Sequence, residues 1–180
     1  MKYAVPVRKA LGVRTIFNLL GPLTNPAGAR RQVMGVFDAA LTETIASVLA
    51  MLGTVRAFVV HAEDGMDEFS TTAPTRVCEL RDGRIAARTI VPEDFHLPRA
   101  RLDDLLVGSP GESAAVIRSV LAGTAGPARD IVLLNAAAAL VVAGNAADIA
   151  SALPLARASI DSGAAAAALD TLVRVSHEPA

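Results

Sequence analysis

A short apolar run, an amphipathic stripe and a second apolar run follow one another between Gln32 and His61, and that order leaves few folds open. Gln32–Phe37 reads as a buried strand. Leu41, Ile45, Val48, Leu49 and Leu52 then recur at helical spacing up to Gly53, a helix stop, with Asp38 placed to cap the start. Val55–His61 is short, valine-rich and non-alternating, apolar along Val55–Val60 except for Arg56. Such a run is the mark of a strand covered on both faces, as in a parallel sheet. Strand, helix and strand of these lengths make a β-α-β unit, whose crossover is expected to be right-handed. The chain is therefore read as α/β, with a mainly parallel sheet flanked by helices.

Downstream, Thr75–Leu80 and Arg84–Ile90 flank Asp82-Gly83, a strong signal for one β-hairpin. Ser109-Pro110-Gly111-Glu112 opens a helix expected to run to about Leu121. Serine caps it, proline occupies the first helical position, and a glutamate follows three residues after the cap. Ala128–Val142, Ala146–Ser159 and Ala164–Val173 read as alanine-rich helices, the middle one distorted by Pro154. Gly123-Thr124-Ala125-Gly126 mimics a phosphate loop, but helices flank it and no strand precedes it. It is read as a helix–helix linker.

The second strand runs into Glu63-Asp64-Gly65-Met66-Asp67-Glu68, four carboxylates in six residues broken by a glycine. Ligands of α/β sheets gather outside the carboxyl ends of strands, where this loop emerges. Adjacent Asp67 and Glu68 offer hard oxygen donors suited to Mg²⁺ bridged to a phosphorylated substrate. A solvated acidic turn is the plainer explanation of such a cluster, and its place after a buried strand favours the metal. His61 ends the strand beside the loop, where it could orient a ligand, while His96 and His177 read as loop and tail residues.

At the N-terminus, Tyr3–Leu11 and Thr15–Leu20 read as two short helices. Arg8 and Arg14 lie six residues apart and project on different faces. Gly21-Pro22 ends the second helix, and Asn25-Pro26 breaks the chain again. A rigid backbone corner beside guanidinium groups suits a flat carboxylate ligand. A helix with surface arginines and a loop explains the same residues.

Composition excludes several functions. Seventeen basic against eighteen acidic residues leave a net charge of −1, so no broad attraction to nucleic acid or membrane is expected. The lone Cys78 cannot form an internal disulfide, sits in an apparent strand and fits a reducing, cytoplasmic setting. No signal-peptide pattern and no apolar run of the roughly 20 residues needed to span a bilayer is present.

Three motifs in order, Val7-Arg8-Lys9 through Asn25-Pro26, Asp64–Glu68, and Gly126–Asp130 leading into Leu134–Leu140, resemble one family, anthranilate phosphoribosyltransferase. The resemblance implies the α/β domain shared with nucleoside phosphorylases, here truncated at its N-terminus. Residues 1–20 would belong to the small helical domain and 21–180 to the α/β domain. It implies transfer of phosphoribose from 5-phosphoribosyl 1-diphosphate to anthranilate, Mg²⁺ as cofactor, and a homodimer. In those terms Arg8 faces the anthranilate carboxylate, Gly21 and Pro22 form the corner against its ring, Asp67 and Glu68 hold the metal, and no side chain acts as nucleophile. Ala62 and Met66 depart from the glycine and leucine expected there, both mild changes. The family's glycine-rich phosphate loop and Lys-His-Gly-Asn-Arg segment would precede Met1, so this chain alone is expected to be inactive without that missing N-terminal half. A pyrimidine nucleoside phosphorylase and a noncatalytic nucleic-acid-binding paralogue of the same fold are the alternative readings. The Arg8–Pro26 run argues against the first, and the balanced charge with Asp67-Glu68 against the second.

Overall fold

The computed structural model describes residues 21, 23–25 and 27–178. The two N-terminal helices read from the sequence, with Arg8, Arg14 and Asn18, and also Pro22 and Pro26, lie outside the described residues.

The β-α-β unit is present as β1 (Arg31–Gly35), α1 (Leu41–Met51) and β2 (Arg56–Ala62). β3 (Thr75–Arg81) and β4 (Arg84–Ile90) follow, and the sheet order is β1-β2-β3-β4. β1 and β2 run parallel, with Val33 opposite Phe58, while the β2–β3 and β3–β4 pairs are antiparallel. Among the described residues the sheet is thus mixed rather than mainly parallel. The hairpin contributes the antiparallel β3–β4 pair, and the connection 63–74 turns the chain back so that β3 lies antiparallel beside β2.

Side chains alternate between the faces of a strand, so a strand covered on both sides must be apolar throughout. β2 meets that demand: Ala57, Phe58, Val59 and Val60 have no exposed surface. Ala57 and Val59 join Met34, Cys78 and Leu80 under Ile45, Ala46 and Leu49 of α1. Phe58, Val60 and Val77 face the opposite core, built with helices α3 (Pro127–Ala143) and α4 (Ile149–Asp161) through Leu134, Ala137, Ala138, Val141, Ala152, Leu153 and Ala156. Full burial of one such Phe or Val stabilises by about 1.5–3 kcal/mol, so β2 is the spine of the fold. Arg56, the exception in that strand, is 8% exposed. Its guanidinium lies 3.5 Å from Glu79 and donates to the Ala147 carbonyl, and Arg31 opposite it donates to Val142 O at 2.7 Å. Both arginines thereby bind carbonyls at and just beyond the C-terminal end of α3, where cations are favoured.

The hairpin turn has positive φ at both Asp82 (50°) and Gly83 (78°), the primed turn that matches strand twist. Helix α2 (Pro110–Leu121) starts as expected, Ser109 Oγ accepting from Glu112 N–H at 3.2 Å. The reciprocal bond goes one residue further back, to Gly108 N–H at 2.7 Å, rather than to the cap itself. The linker 122–126 separates α2 from α3 as expected. α4 begins at Ile149 and not Ala146, because Asp148 caps it by accepting from Ser151 N–H at 2.8 Å. Pro154 lies inside α4, which nevertheless continues to Asp161. Asp38 does not cap α1. Its Oδ1 accepts from Ala40 N–H at 2.9 Å, closing a turn before the helix, whose cap position is Ala40. α5 (Ala164–Ser176) closes the chain, with Leu172, Val173 and Val175 exposed.

Candidate metal and substrate site

β2 ends at Ala62, and residues 63–74 form the loop that returns to β3. Gly65, at φ 92°, allows the first reversal, closed by Gly65 N–H to Ala62 O and Ala62 N–H to Met66 O, both 2.9 Å. Asp64 then gathers the loop. Its Oδ1 accepts from Met66 N–H at 3.0 Å, and its Oδ2 accepts from Ser70 Oγ at 2.6 Å and from the Thr72 hydroxyl. Partial burial pushes the Asp64 carboxyl up, but the bonds from Ser70, Thr72 and the Met66 N–H outweigh it and leave the group below its ordinary value. Asp64 is therefore a structural anchor and not a free ligand.

Two further anchors come from distant elements. The Asp67 carbonyl oxygen lies 1.6 Å from where a Cβ at Gly35 would stand, so the loop rests on the bare α-carbon at the end of β1. On the other side, Asn135 of α3 accepts from Phe69 N–H at 3.0 Å and donates to Phe69 O at 2.8 Å. The Phe69 ring is fully buried edge-on to Phe58, centroids 5.8 Å apart.

Between these anchors Asp67 and Glu68 are exposed, and their carboxylates form no ion pair or hydrogen bond among the described residues. Burial raises the Glu68 proton affinity, and the neighbouring charges of Asp67 and Asp64 raise it further. A site that concentrates uncompensated negative charge in this way attracts a cation. Among the described residues no group of three or more His, Cys, Asp and Glu side chains could hold a metal. Mg²⁺ fits this donor set, since it commonly takes one or two carboxylates and completes its shell with water and substrate phosphates. His61 points elsewhere: its Nδ1 lies 2.8 Å from Val36 O, and because a carbonyl only accepts, Nδ1 carries the proton in that bond. Cys78 is a fully buried core residue whose thiol is pushed up by burial.

The structure thus brings Asp67 and Glu68 together on one anchored loop. Gly21 is exposed, its carbonyl accepting from Thr24 N–H at 3.3 Å, while Arg8 and Pro22 lie outside the described residues. The sequence reading missed Gly35, Ser70, Thr72 and Asn135. A signal existed for two kinds: the Ser-Thr-Thr run beside an acidic turn, and an asparagine inside an alanine-rich helix, where it is a weak helix former.

The model of the glycosyl transferase family a/b domain matches residues 1–166. The chain belongs to that family. It is 56% identical over 173 residues to the anthranilate phosphoribosyltransferase of Moorella thermoacetica, which covers 96% of this chain and 51% of that protein. The same enzyme of Thioalkalivibrio sulfidiphilus is 57% identical over 173 residues, again 96% and 51% of the two chains. Among solved structures, the Thermus thermophilus enzyme superposes with a TM-score of 0.89 at 42% identity, covering 97% of this chain and 51% of that one. The Saccharomyces cerevisiae enzyme in complex with PRPP and Mg superposes with a TM-score of 0.85 at 27% identity, covering 94% and 49%. The chain spans about half the length of the curated relatives it matches. The α/β class expected from the sequence is that of this family's a/b domain.

Proposed function

We propose that this chain forms the metal-binding and acceptor-binding part of an enzyme that transfers the 5-phosphoribosyl group to anthranilate in tryptophan biosynthesis. The donor is 5-phosphoribosyl 1-diphosphate and the products are N-(5-phosphoribosyl)anthranilate and pyrophosphate. The observation that carries the reading is the anchored loop presenting two unpaired adjacent carboxylates, in a chain similar over almost its whole length to enzymes of that name. A relative was solved with PRPP and Mg, and with 4-fluoroanthranilate.

The anthranilate amine attacks the ribose C1 carbon as pyrophosphate departs, and the ring oxygen stabilises the cation-like transition state. Catalysis of this kind needs positioning and charge neutralisation rather than a side-chain nucleophile. Asp67 and Glu68 would hold Mg²⁺, whose charge would offset that of the leaving pyrophosphate. Arg8 pairs with the anthranilate carboxylate, and Gly21 with Pro22 forms the corner against which the ring lies. Cradling the phosphates is assigned to the part of the relatives' length that these 180 residues do not span. We extend the reading to a cytoplasmic homodimer without nucleic-acid or membrane partners. The lone buried Cys78 supports the reducing compartment, and the near-zero net charge supports the lack of nucleic-acid and membrane partners. No helix among the described residues is long and apolar enough to cross a membrane.

The test is anthranilate consumption by this chain combined with the N-terminal half of a close relative. Mg²⁺-dependent turnover is expected, and Arg8→Ala should raise the KM for anthranilate about 10- to 100-fold, the loss of one charge-assisted pair, with little change for the diphosphate. Equal effects on both substrates would sink the Arg8 assignment, and no turnover in any combination would sink the function.

A further inference from the structure

Asn135 stands in the middle of α3 and is 66 residues along the chain from the loop it grips. Its amide is fully engaged: Oδ1 accepts from Phe69 N–H at 3.0 Å, while Nδ2 donates to Phe69 O at 2.8 Å and to Ile131 O at 3.0 Å. Flipping the amide would set donor against donor and acceptor against acceptor, so its orientation is dictated. The bond to Ile131 O ties the side chain to its own helix and removes the rotamer freedom that would loosen the grip.

The consequence falls on Glu68. The Phe69 N–H belongs to the planar peptide unit that also contains the Glu68 carbonyl, so holding that N–H fixes the plane leaving Glu68. The Phe69 ring, buried edge-on to Phe58, anchors the side chain of the same residue. On the opposite flank the Asp67 carbonyl is seated on Gly35. The main chain that carries the two carboxylates is therefore held between a clamp from α3 and a seat on β1, with no bond to either carboxylate itself.

We propose that Asn135 is a positioning residue for the divalent-cation site, setting the relative placement of the Asp67 and Glu68 carboxylates through the Phe69 backbone. The proposal rests on the metal reading above. Groups behind metal ligands typically change affinity 10- to 100-fold when removed.

The test titrates Mn²⁺, a paramagnetic stand-in for Mg²⁺, into the 180-residue chain labelled with ¹⁵N and follows broadening of backbone amide signals. Wild-type protein should broaden first at residues 67–69, and Asp67→Ala with Glu68→Ala should abolish this. Asn135→Ala should require about 10-fold more Mn²⁺ for the same broadening. Leu133→Ala removes a buried side chain of the same helix without touching the clamp, and should respond as wild type despite its lower stability. If Asn135→Ala does not fold, Asn135→Asp carries the test. It keeps the acceptor for Phe69 N–H and loses both donors, and since its added charge alone would attract Mn²⁺, a weaker response reads the broken clamp. Absence of localised broadening in wild type overturns the metal reading and this proposal with it. Unchanged broadening in the Asn135 variant, or equal weakening in Leu133→Ala, overturns the positioning role and leaves the metal reading standing.

Discussion

Two connections join antiparallel strands in this sheet, and they are built on opposite principles. The β3–β4 turn is two residues long and is decided where it stands, by Asp82 and Gly83 accepting positive φ. The β2–β3 connection spans residues 63–74 and is decided from elsewhere: by the bare α-carbon of Gly35 on β1, by Asn135 on α3, and by the Asp64 carboxylate gathering Ser70 and Thr72. A short turn needs only local conformational preference. A loop that must present two like charges side by side without collapsing needs supports that the local chain cannot supply, because fixing each residue costs about 1–2 kcal/mol of backbone entropy. The long loop is the one that carries the candidate chemistry.

The contrast breaks first at Gly35. Gly35→Ala places a methyl 1.6 Å from the Asp67 carbonyl oxygen, a backbone atom that cannot swing aside as a side chain would. A loss of about 3 kcal/mol in urea unfolding is expected, together with altered amide signals across residues 63–72. Full stability with an unchanged loop would show that the seat on β1 is dispensable.

Asp64→Ala removes the hub of the same loop and should cost about 2 kcal/mol at pH 7. The sign of its pH dependence is set by a carboxyl held below its ordinary 3.8 in the folded chain. Such a group stabilises above its unfolded pKa, and the contribution is lost as pH falls below about 3.8 through the folded value. Wild-type and variant stabilities should therefore differ fully at neutral pH and converge in acid. A difference that did not shrink as the pH fell below 3.8 would assign the effect to packing rather than to the carboxylate.

The smallest effect belongs to the turn. Gly83→Ala puts a side chain at φ 78° and should cost about 1 kcal/mol, with open space around the new methyl and no change in the amide signals of residues 63–72. Spread of the perturbation into the acidic loop would erase the distinction between a local turn and a supported one.

Much of the fold was legible along the chain because its determinants are local. Asp82-Gly83 announced the hairpin through backbone conformation, Ser109-Pro110 announced α2 through its first turn, and the unbroken apolar run of β2 announced burial on both faces. Errors arose where a competing bond won. Asp38 has the right side chain for a cap but spends it on Ala40 N–H, two residues on, and Asp148 takes the cap of α4 from the expected start at Ala146. The antiparallel β3–β4 pair was legible in Asp82-Gly83, but the antiparallel pairing of β3 with β2 was not, because side-chain alternation says which faces are buried and nothing about which way the next strand runs.

At the site, the residue types and their spacing made Asp67 and Glu68 the candidates, since adjacent acids after a buried strand are a chemical pattern in one dimension. The sequence by itself also determined the α/β class, through periodicities that depend only on neighbouring residues. What only the tertiary structure decided is which acids are free. Asp64 is consumed as an anchor while Asp67 and Glu68 are left unpaired, and that division follows from hydroxyls at 70 and 72, a missing Cβ at 35 and an amide at 135. These groups meet because the sheet and α3 pack around β2, and burial that brings distant residues together has no periodicity in the chain from which it could be read.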